Sequence, residues 1–415
     1  MTAVPFAVNV PDAELVQLYQ KLDLTRWPDE LEGAGWSYGA PLADVKRLAT
    51  YWRESFDWRA QETKINDALP QFTTDVDVDG FGTLNIHFVH KRSSRPDAIP
   101  LLFQHGWPGS FLEVSKLLPL LTEPTKATDP AFHVVAPSLA GYAFSQAPSK
   151  PGFGIRQYAE VAHKIMLQLG YDQYVTQGGD WGAGVTRVMG YLYAPEHCKG
   201  SHTNMMHVDK PTLTKQPFLW LLNAIIPYSK REKAALARMG EFFATGAAYS
   251  QIQGTRPQTL GYGLADSPVG LLAWIYEKLH EWTDAYPWTD DEILTWVSIY
   301  YHSRAGPAAS LRIYFENQQP GGGSRGDVEK NKRYPSLPIG VSYFPREIIN
   351  FPKRWAKTGG NVVYQSAHDK GGHFAAWEMP EALAWDLGKM FGRGGAAFGV
   401  VDGKDGYEKE VAKKA

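Results

Sequence analysis

Three short apolar segments, each followed by a Gly- or Pro-rich turn and then by a helix-like segment, constrain the fold of this chain most. They cover residues 100–104, 132–136 and 173–177, and 155–169 is a clear example of the helical segments. Alternation of strands with helices is typical of a parallel sheet covered by helices on both faces. Sites in such sheets lie beyond the carboxyl ends of the strands. The residues after these three segments are therefore the first candidates for a functional site.

The periodicity of the apolar residues changes along the rest of the chain. Helical spacing with a Trp-, Gly- and Pro-rich meander comes first, then a period of two, then helical patterns without strand signals. These changes predict an N-terminal extension, an α/β core in two parts, an all-helical lid between them and a flexible tail. The predicted ranges are 1–71 for the extension, 72–205 and 321–393 for the core, 206–320 for the lid and 394–415 for the tail, with a flexible Gly-rich loop at 321–327.

The composition excludes several classes of protein. Of the 415 residues, 44% are hydrophobic and the net charge is −2, so a large core is expected and a basic nucleic-acid-binding surface is not. A single cysteine, Cys198, excludes an intrachain disulfide framework and a Cys-rich metal site. The sequence has neither a signal-peptide pattern nor 18 consecutive apolar residues. We therefore expect a cytoplasmic, soluble protein without stable membrane insertion, and we expect neither a cofactor nor a metal.

A candidate nucleophile follows the third apolar segment, in Gln177-Gly-Gly-Asp-Trp-Gly. This is the pattern of a nucleophile elbow, with Gly178 and Gly182 flanking Asp180 at the apex of a tight strand-to-helix turn. Glycines are needed there because a Cβ would collide with the neighbouring strand and helix. A carboxylate in place of Ser points to attack on a saturated carbon, which gives an alkyl-enzyme ester. The alternative is a Gly-rich helix cap with a capping Asp.

A candidate oxyanion hole follows the first apolar segment, in His105-Gly-Trp-Pro-Gly-Ser. In folds that carry a nucleophile elbow, one backbone N–H of the oxyanion hole comes from that loop, here at Trp107. The other comes from the residue after the nucleophile, Trp181. Two such donors would stabilise the tetrahedral intermediate of ester hydrolysis. His105 itself is expected to be structural and not a base.

The base and its acidic partner should come later, because the order in this fold is nucleophile, acid, histidine. His373 lies in the Gly-rich stretch Asp369-Lys-Gly-Gly-His, after the last predicted strand. Glu347 follows the strand predicted at 338–344, where it would hold the His373 tautomer and stabilise its protonated form. Asp369 is the alternative acid.

At this point the chain resembles the epoxide hydrolases of the α/β-hydrolase fold, in the microsomal-type branch. The resemblance covers nearly the whole chain. It is carried by the motifs His105-Gly-Trp-Pro-Gly, Gly178-Gly-Asp-Trp-Gly and Gly371-Gly-His-Phe-Ala-Ala and by the segments 248–257 and 312–317. It implies conversion of epoxides and water to vicinal diols through a hydroxyalkyl ester of the nucleophile, which His-activated water then hydrolyses. Vertebrate members of this branch carry a membrane anchor, and we expect no counterpart of it in this protein.

The resemblance also implies two lid tyrosines that hydrogen-bond the epoxide oxygen. Segment matching places them at Tyr249 and Tyr314, and family precedent makes Tyr314 the proton donor. The chemistry is reasonable, since a phenol with a pKa of about 10 is neutral at pH 7 yet acidic enough to protonate a nascent alkoxide.

Rival readings remain from other classes. A haloalkane dehalogenase would share the Asp nucleophile and His base, but its oxyanion loop typically carries Asn where this chain has Trp107, and it lacks the two tyrosines. A non-enzymatic ligand receptor on the same fold would be expected to lose part of the triad. A metal hydrolase would need a ligand cluster such as His-Glu-x-x-His, which does not occur.

The expected partner is a small lipophilic epoxide. The lid residues Trp220, Trp274 and Trp282 favour bulky aryl or lipophilic substrates. The sequence determines neither the preferred epoxide nor its enantiomer nor the oligomeric state, for which a homodimer is a guess.

Overall fold

The core of the protein is a single mixed sheet. A computed structural model describes residues 3–319 and 336–408, and within them nine strands are joined in the order β1-β2-β3-β5-β4-β6-β7-β8-β9. The strands are β1 (Val4–Phe6), β2 (Gln71–Val78), β3 (Gly82–Lys91), β4 (Ile99–Gln104), β5 (Phe132–Pro137), β6 (Tyr174–Gly178), β7 (Cys198–Thr203), β8 (Ile339–Tyr343) and β9 (Val362–Ala367).

The sheet changes from antiparallel to parallel at β5. Strands β1 to β3 pair antiparallel with their neighbours, as does β3 with β5, whereas the pairs from β5 through β4 to β9 are all parallel. Every residue of β4 and β5 is buried, as expected for parallel strands covered on both faces. The predicted α/β-hydrolase architecture, a mostly parallel sheet with helices, is therefore confirmed.

Helices cover the sheet and fill the interval between β7 and β8. In the core, the helix Ile155–Gln168 packs on the helix Asp180–Tyr193, and the short helix Leu117–Thr122 packs on the last helix, Pro380–Phe391. The helices are α1 (Asp12–Asp23), α2 (Leu42–Glu54), α3 (Trp58–Ala68), α4 (Leu117–Thr122), α5 (Ile155–Gln168), α6 (Asp180–Tyr193), α7 (Pro217–Ile225), α8 (Lys230–Glu241), α9 (Ala248–Thr255), α10 (Pro257–Asp266), α11 (Pro268–Glu281), α12 (Asp290–Tyr301), α13 (Arg312–Glu316), α14 (Ala375–Glu378) and α15 (Pro380–Phe391). Helices α7 to α13 form the segment that we call the lid.

Both ends of the described chain contact the core. The N-terminal extension contributes β1, which pairs with β2 at the sheet edge. The tail, predicted to be flexible, packs on the core through residue 408: Ala131 N–H donates to the Gly406 carbonyl at 2.8 Å, and Tyr407 is buried. An aromatic anchor thus holds a Gly-rich segment in place. The predicted loop at 321–327 and residues 409–415 lie outside the described residues.

Strand β7, like β1, was not predicted from the sequence. Its residues Ser201 and His202 are polar but buried, and they form hydrogen bonds to Thr176 and Ser342 at 3.0 Å each. Polar residues that satisfy each other inside a sheet do not produce an apolar pattern in the sequence. In the described ranges no helix has the length and apolar character to span a membrane.

Candidate active site

The site is built around a strained turn between β6 and α6. Asp180 is the first residue of α6 and has a positive φ of 47°, a conformation that L residues other than Gly rarely adopt. A Cβ on Gly178 would lie 2.5 Å from the Gly182 carbonyl oxygen, and one on Gly182 would overlap the Gln104 carbonyl of β4. Both flanking glycines are therefore required sterically, as the motif predicted. The strained turn raises the Asp180 carboxylate above the sheet edge.

The Asp180 carboxylate is held by the loop after β4. The backbone N–H of Trp107 donates to Oδ1 of Asp180 at 2.8 Å. A Cβ on Gly106 would overlap the same oxygen, so the loop can approach this closely only with glycine there. Trp181 N–H, the second expected donor, makes no hydrogen bond to Asp180 among the described residues, and its part in an oxyanion hole stays a prediction.

His373 lies between two carboxylates. Its Nε2 is 3.5 Å from Oδ2 of Asp180, and its Nδ1 is 2.6 Å from Oε1 of Glu347. His373 and Glu347 are both buried. Asp369, the alternative acid, is instead fully exposed and pairs with Arg231 at 3.4 Å. The structure thus brings Glu347, and not Asp369, to the histidine.

These charges shift the protonation of His373. Burial alone would favour the neutral imidazole, but the charge of Glu347 and the hydrogen bond that the ring donates to Asp180 together raise the pKa of His373 well above its usual range. In the resting site the imidazole is therefore stabilised as a cation between two carboxylates.

A lid residue and one further carboxylate hold the loop that carries His373. The His373 N–H donates to the Trp282 carbonyl at 2.9 Å, directly after α11. The carboxylate of Glu378 accepts the N–H groups of Asp284 at 2.8 Å and Phe374 at 3.2 Å. Burial raises the pKa of Glu378 to about 7. Lid and core are thus joined at the histidine.

Two buried lid tyrosines face the same space as Asp180. Tyr249 on α9 and Tyr314 on α13 have ring centroids 5.8 Å apart, and both line a cavity together with Asp180. The Trp107 ring stacks on Tyr249 at 5.2 Å and meets Tyr314 edge-on at 5.8 Å. Burial raises the pKa of both phenols, which keeps them protonated as hydrogen-bond donors. The Tyr314 hydroxyl is buried without a hydrogen-bond partner among the described residues.

The cavity itself has a volume of about 540 Å³. Besides Asp180 and the two tyrosines, its lining includes Phe242, Trp181 and Ile349. Its walls are therefore mainly aromatic and aliphatic, as is usual for a site that binds small apolar molecules.

Comparison with known proteins identifies the family of this chain. Residues 3–114 match the family model "Epoxide hydrolase N terminus", and residues 99–222 match that of the "alpha/beta hydrolase fold". "Epoxide hydrolase 1" of Sus scrofa is 36% identical over 94% of this chain and 88% of its own length. The chain belongs to the epoxide hydrolase family.

Solved structures support the same assignment for this epoxide hydrolase. The epoxide hydrolase of Aspergillus niger is 34% identical with a TM-score of 0.79, covering 93% of this chain and 95% of the other. The juvenile hormone epoxide hydrolase of Bombyx mori is 30% identical with a TM-score of 0.83, covering 93% of both chains. Fold and enzyme class are therefore as the sequence motifs predicted.

Histidine 105 of this epoxide hydrolase is part of the scaffold. Leu139 N–H donates to its Nε2 at 3.1 Å, and its Nδ1 lies 2.9 Å from the Gly106 carbonyl. Because Nε2 accepts and Nδ1 donates, the ring is neutral, and burial lowers the pKa of His105 to about 4. This agrees with the structural role expected for it.

The three lid tryptophans from which the sequence analysis inferred bulky substrates lie away from the cavity lining, and the preference for such substrates stays a prediction. Trp220 is exposed on α7, Trp274 is half-buried and donates to Gln253 at 3.0 Å, and Trp282 packs behind Tyr249. None of the three is among the residues that line the cavity. Phe242 lines it instead, from a wide helical turn (Phe242–Gly246) after α8.

Sequence reasoning missed two carboxylates near the site. Glu378 follows His373 by five residues, and Glu113 follows the Trp107 loop by six. Each lies close in sequence to a motif residue, and that proximity was the only available signal. Neither fits the order of a catalytic triad, so both were passed over.

Proposed function

We propose that this epoxide hydrolase converts lipophilic epoxides and water to vicinal diols through a covalent ester on Asp180. The observation that carries the proposal is the position of Asp180, which contacts the His373–Glu347 pair and shares a cavity with Tyr249 and Tyr314. Such a carboxylate can attack an epoxide carbon on the lid side. The ester that forms can then be hydrolysed with the help of a base on the core side.

In the first step Oδ2 of Asp180 attacks an epoxide carbon. The ring C–O bond breaks, and the epoxide oxygen takes a proton from Tyr314 while Tyr249 donates a hydrogen bond to it. The buried hydroxyl of Tyr314 supports its role as the proton donor, because apart from its interaction with the Tyr249 hydroxyl it has no partner among the described residues, and its O–H is available to a ligand. The Trp107 N–H holds Oδ1 throughout, which leaves Oδ2 free to react.

In the second step His373 takes a proton from water, and the resulting hydroxide attacks Cγ of the ester. Negative charge collects on Oδ1, where the Trp107 N–H stabilises it. The bond between Cγ and Oδ2 then breaks, so that Oδ2 leaves with the diol and the oxygen of water becomes part of the carboxylate. The two protons of water end on the leaving oxygen and on the Tyr314 phenolate.

Ester formation prepares His373 for this second step. In the resting enzyme Asp180 helps to raise the pKa of His373. Esterification removes the charge of Asp180, so the pKa of the imidazole falls and the neutral base becomes more populated. Glu347 then stabilises the imidazolium that forms. The same carboxylate thus controls the base through its own chemical state.

The cavity indicates the substrate class. A space of about 540 Å³ lined by Phe242, Trp181 and Ile349 favours apolar substituents on the epoxide. The side chains that present hydroxyls to it include the two site tyrosines, which are the groups suited to the epoxide oxygen. A small lipophilic epoxide such as styrene oxide is therefore a suitable probe.

Turnover of styrene oxide in oxygen-18 water tests the mechanism. With enzyme in excess, the diol of a single turnover should contain the unlabelled oxygen of Asp180, whereas multiple turnovers should give labelled diol. Enzyme that has first turned over in labelled water and is then transferred to ordinary water is the control, and its next diol should carry the label. If the oxygen added to the diol in the first turnover were already oxygen-18, water would have attacked the epoxide directly.

A further inference from the structure

A second, much smaller cavity lies on the other face of Asp180. Its lining includes Glu113, Gln177, Asp180 and His373. The centre of a water molecule can occupy about 10 Å³ of it, so the cavity has room for a single water. The two cavities share Asp180, but the site tyrosines line the large one and His373 lines the small one. The nucleophile therefore separates an apolar space from a polar one.

Glu113 directs a carboxyl group into this small cavity. It lies in a single helical turn (Phe111–Val114) after the Trp107 loop. Its Oε1 lies so close to Gly109 that a Cβ there would overlap it, so the glycine leaves room for the carboxyl group. The loop below is fixed in turn, because Tyr300 donates to the Gly109 carbonyl at 2.6 Å. The proposed function assigns no role to this carboxyl.

The surroundings of Glu113 favour its neutral form. Burial of the carboxyl raises the pKa of Glu113 to about 8; the His373 charge opposes this shift, the Asp180 charge adds to it, and the Ser110 backbone opposes it. A protonated carboxyl has one O–H donor and one carbonyl acceptor. Such a group can hold a water molecule without adding a third negative charge beside Asp180 and Glu347.

Gln177 supplies an independent sign that the small cavity takes a polar ligand. The residue is 1% exposed, and its Nε2 donates to Oδ1 of Asn204 at 3.0 Å. That bond fixes the orientation of the amide and leaves its Oε1 buried without a hydrogen-bond partner among the described residues. A buried acceptor of this kind usually bonds to an ordered water.

From these contacts we propose that the small cavity holds the water that hydrolyses the ester, and that Glu113 and Gln177 orient it. The inference rests on the proposed function and adds the position and the holders of its second reactant. The water lies beside His373, which takes its proton, and its oxygen faces Cγ of Asp180. Glu113 neither gains nor loses a proton over the step, so it is a positioning residue.

This arrangement separates the paths of the two reactants. The epoxide approaches Asp180 from the lid side and the water from the side of His373, so a bulky alkyl group does not displace the water. A residue that only orients the water should affect hydrolysis of the ester and leave its formation unchanged. Misplacing a reactant by about 1 Å costs on the order of 100-fold in rate.

Pre-steady-state kinetics of Glu113→Leu with styrene oxide tests the proposal. The rate of ester formation should stay within about twofold of wild type, while ester hydrolysis should slow by about 100-fold. Intact-protein mass spectrometry should then show the alkyl-enzyme accumulating. Glu113→Gln, which keeps a donor and an acceptor, should restore most of the hydrolysis rate. A purely structural role would not produce this selective loss and rescue.

A matched control is available in the core. Glu160, a buried glutamate on α5, binds Lys164 and the Asp79 N–H and lines neither cavity. Glu160→Leu should lower the stability but leave the ratio of the two half-reaction rates unchanged. Should Glu113→Leu fail to fold, Gln177→Leu replaces it, with the same selective slowing of hydrolysis expected.

The outcomes distinguish this inference from the proposed function. If wild-type enzyme forms no alkyl-enzyme in rapid-quench samples, the covalent mechanism itself fails. If wild type forms it, and both Glu113→Leu and Gln177→Leu hydrolyse it at the wild-type rate, the ester mechanism stands and the water site is wrong. Equal slowing of both half-reactions would also overturn the water site, since it would indicate a general disturbance of Asp180.

Discussion

The two faces of Asp180 are built by different parts of the chain and by different kinds of contact. On the core face, His373 and Glu347 follow β9 and β8 and are joined by a hydrogen bond of 2.6 Å between ionisable groups. On the lid face, Tyr249 and Tyr314 are held by aromatic packing against Trp107, and the Tyr314 hydroxyl is unpartnered among the described residues.

This difference indicates a division of labour. Hydrogen bonds between charged groups fix direction as well as distance, so the core face is organised before substrate arrives. Ring contacts fix position but leave the phenol O–H free to turn toward a ligand. The core face therefore determines whether the ester can be hydrolysed, and the lid face determines how strongly the epoxide is activated when the ester forms.

Removal of the nucleophile should have the largest effect, because both faces act through it. Asp180→Ala should reduce turnover of styrene oxide by about 10⁴-fold or more, as expected when a covalent nucleophile is lost. Diol formation measured by chromatography checks this, with Asp172→Ala, an exposed aspartate of the same core, as the control. Substantial activity in Asp180→Ala would mean that neither face is organised around this residue.

Removal of the base should affect only the step that depends on the core face, hydrolysis of the ester. His373→Gln should still form the ester but hydrolyse it at least about 10³-fold more slowly, since no group remains to accept a proton from water. Mass spectrometry should show the protein with one substrate added. A folded variant that stays unmodified in excess epoxide would contradict the separation of the two faces.

The core face could be predicted because its constraints are local. Gly178 and Gly182 surround Asp180 in sequence for a steric reason, and the strand order of the fold fixes where an acid and a histidine must follow. The choice of Glu347 over Asp369 needed only the position of β8. What local reasoning missed, Glu113 and β7, depends on buried polar contacts between distant segments.

The lid face could not be derived in this way. Tyr249 and Tyr314 meet through packing of α9 on α13, which no periodicity in the sequence indicates. They were found by resemblance to a family, and the roles assigned to them stay predictions. The lid tryptophans do not line the cavity, because a bulky ring is as easily buried behind a pocket as within one, as Trp282 shows.

The tyrosine variants test the lid face. Tyr314→Phe or Tyr249→Phe should slow ester formation by about 10- to 1000-fold, the range of one acid or oxyanion donor. The double variant should be nearly inactive on epoxides, and ester hydrolysis should slow much less in each. Rapid-quench kinetics separates the two steps, and Tyr262→Phe, an exposed lid tyrosine, is the control. Wild-type ester formation in the double variant would reduce both tyrosines to packing residues.

A smaller effect is expected on the pKa of His373 when the charge of Asp180 is removed. Because that charge raises the pKa of His373, Asp180→Asn should lower this pKa, by about one unit or more for the loss of an adjacent charge. The amide imitates the uncharged ester, so the shift reports the change that esterification makes. NMR titration of the labelled imidazole measures it. An unchanged pKa would show that Glu347 alone controls the base.

The smallest effect should come from Asp369, the carboxylate that shares a loop with His373 but contacts neither face. Its side chain is fully exposed and pairs with Arg231 at 3.4 Å, and exposed ion pairs of this kind contribute about 0–1 kcal/mol to stability. Asp369→Asn should therefore change kcat and kcat/KM by less than about twofold, since so weak a contact cannot orient a base. The comparison is with Glu347→Gln, which removes the charge that His373 contacts at 2.6 Å and should slow ester hydrolysis far more. If the two variants lost activity equally, the direction of the His373 ring would depend on its loop as a whole and not on the single buried carboxylate after β8.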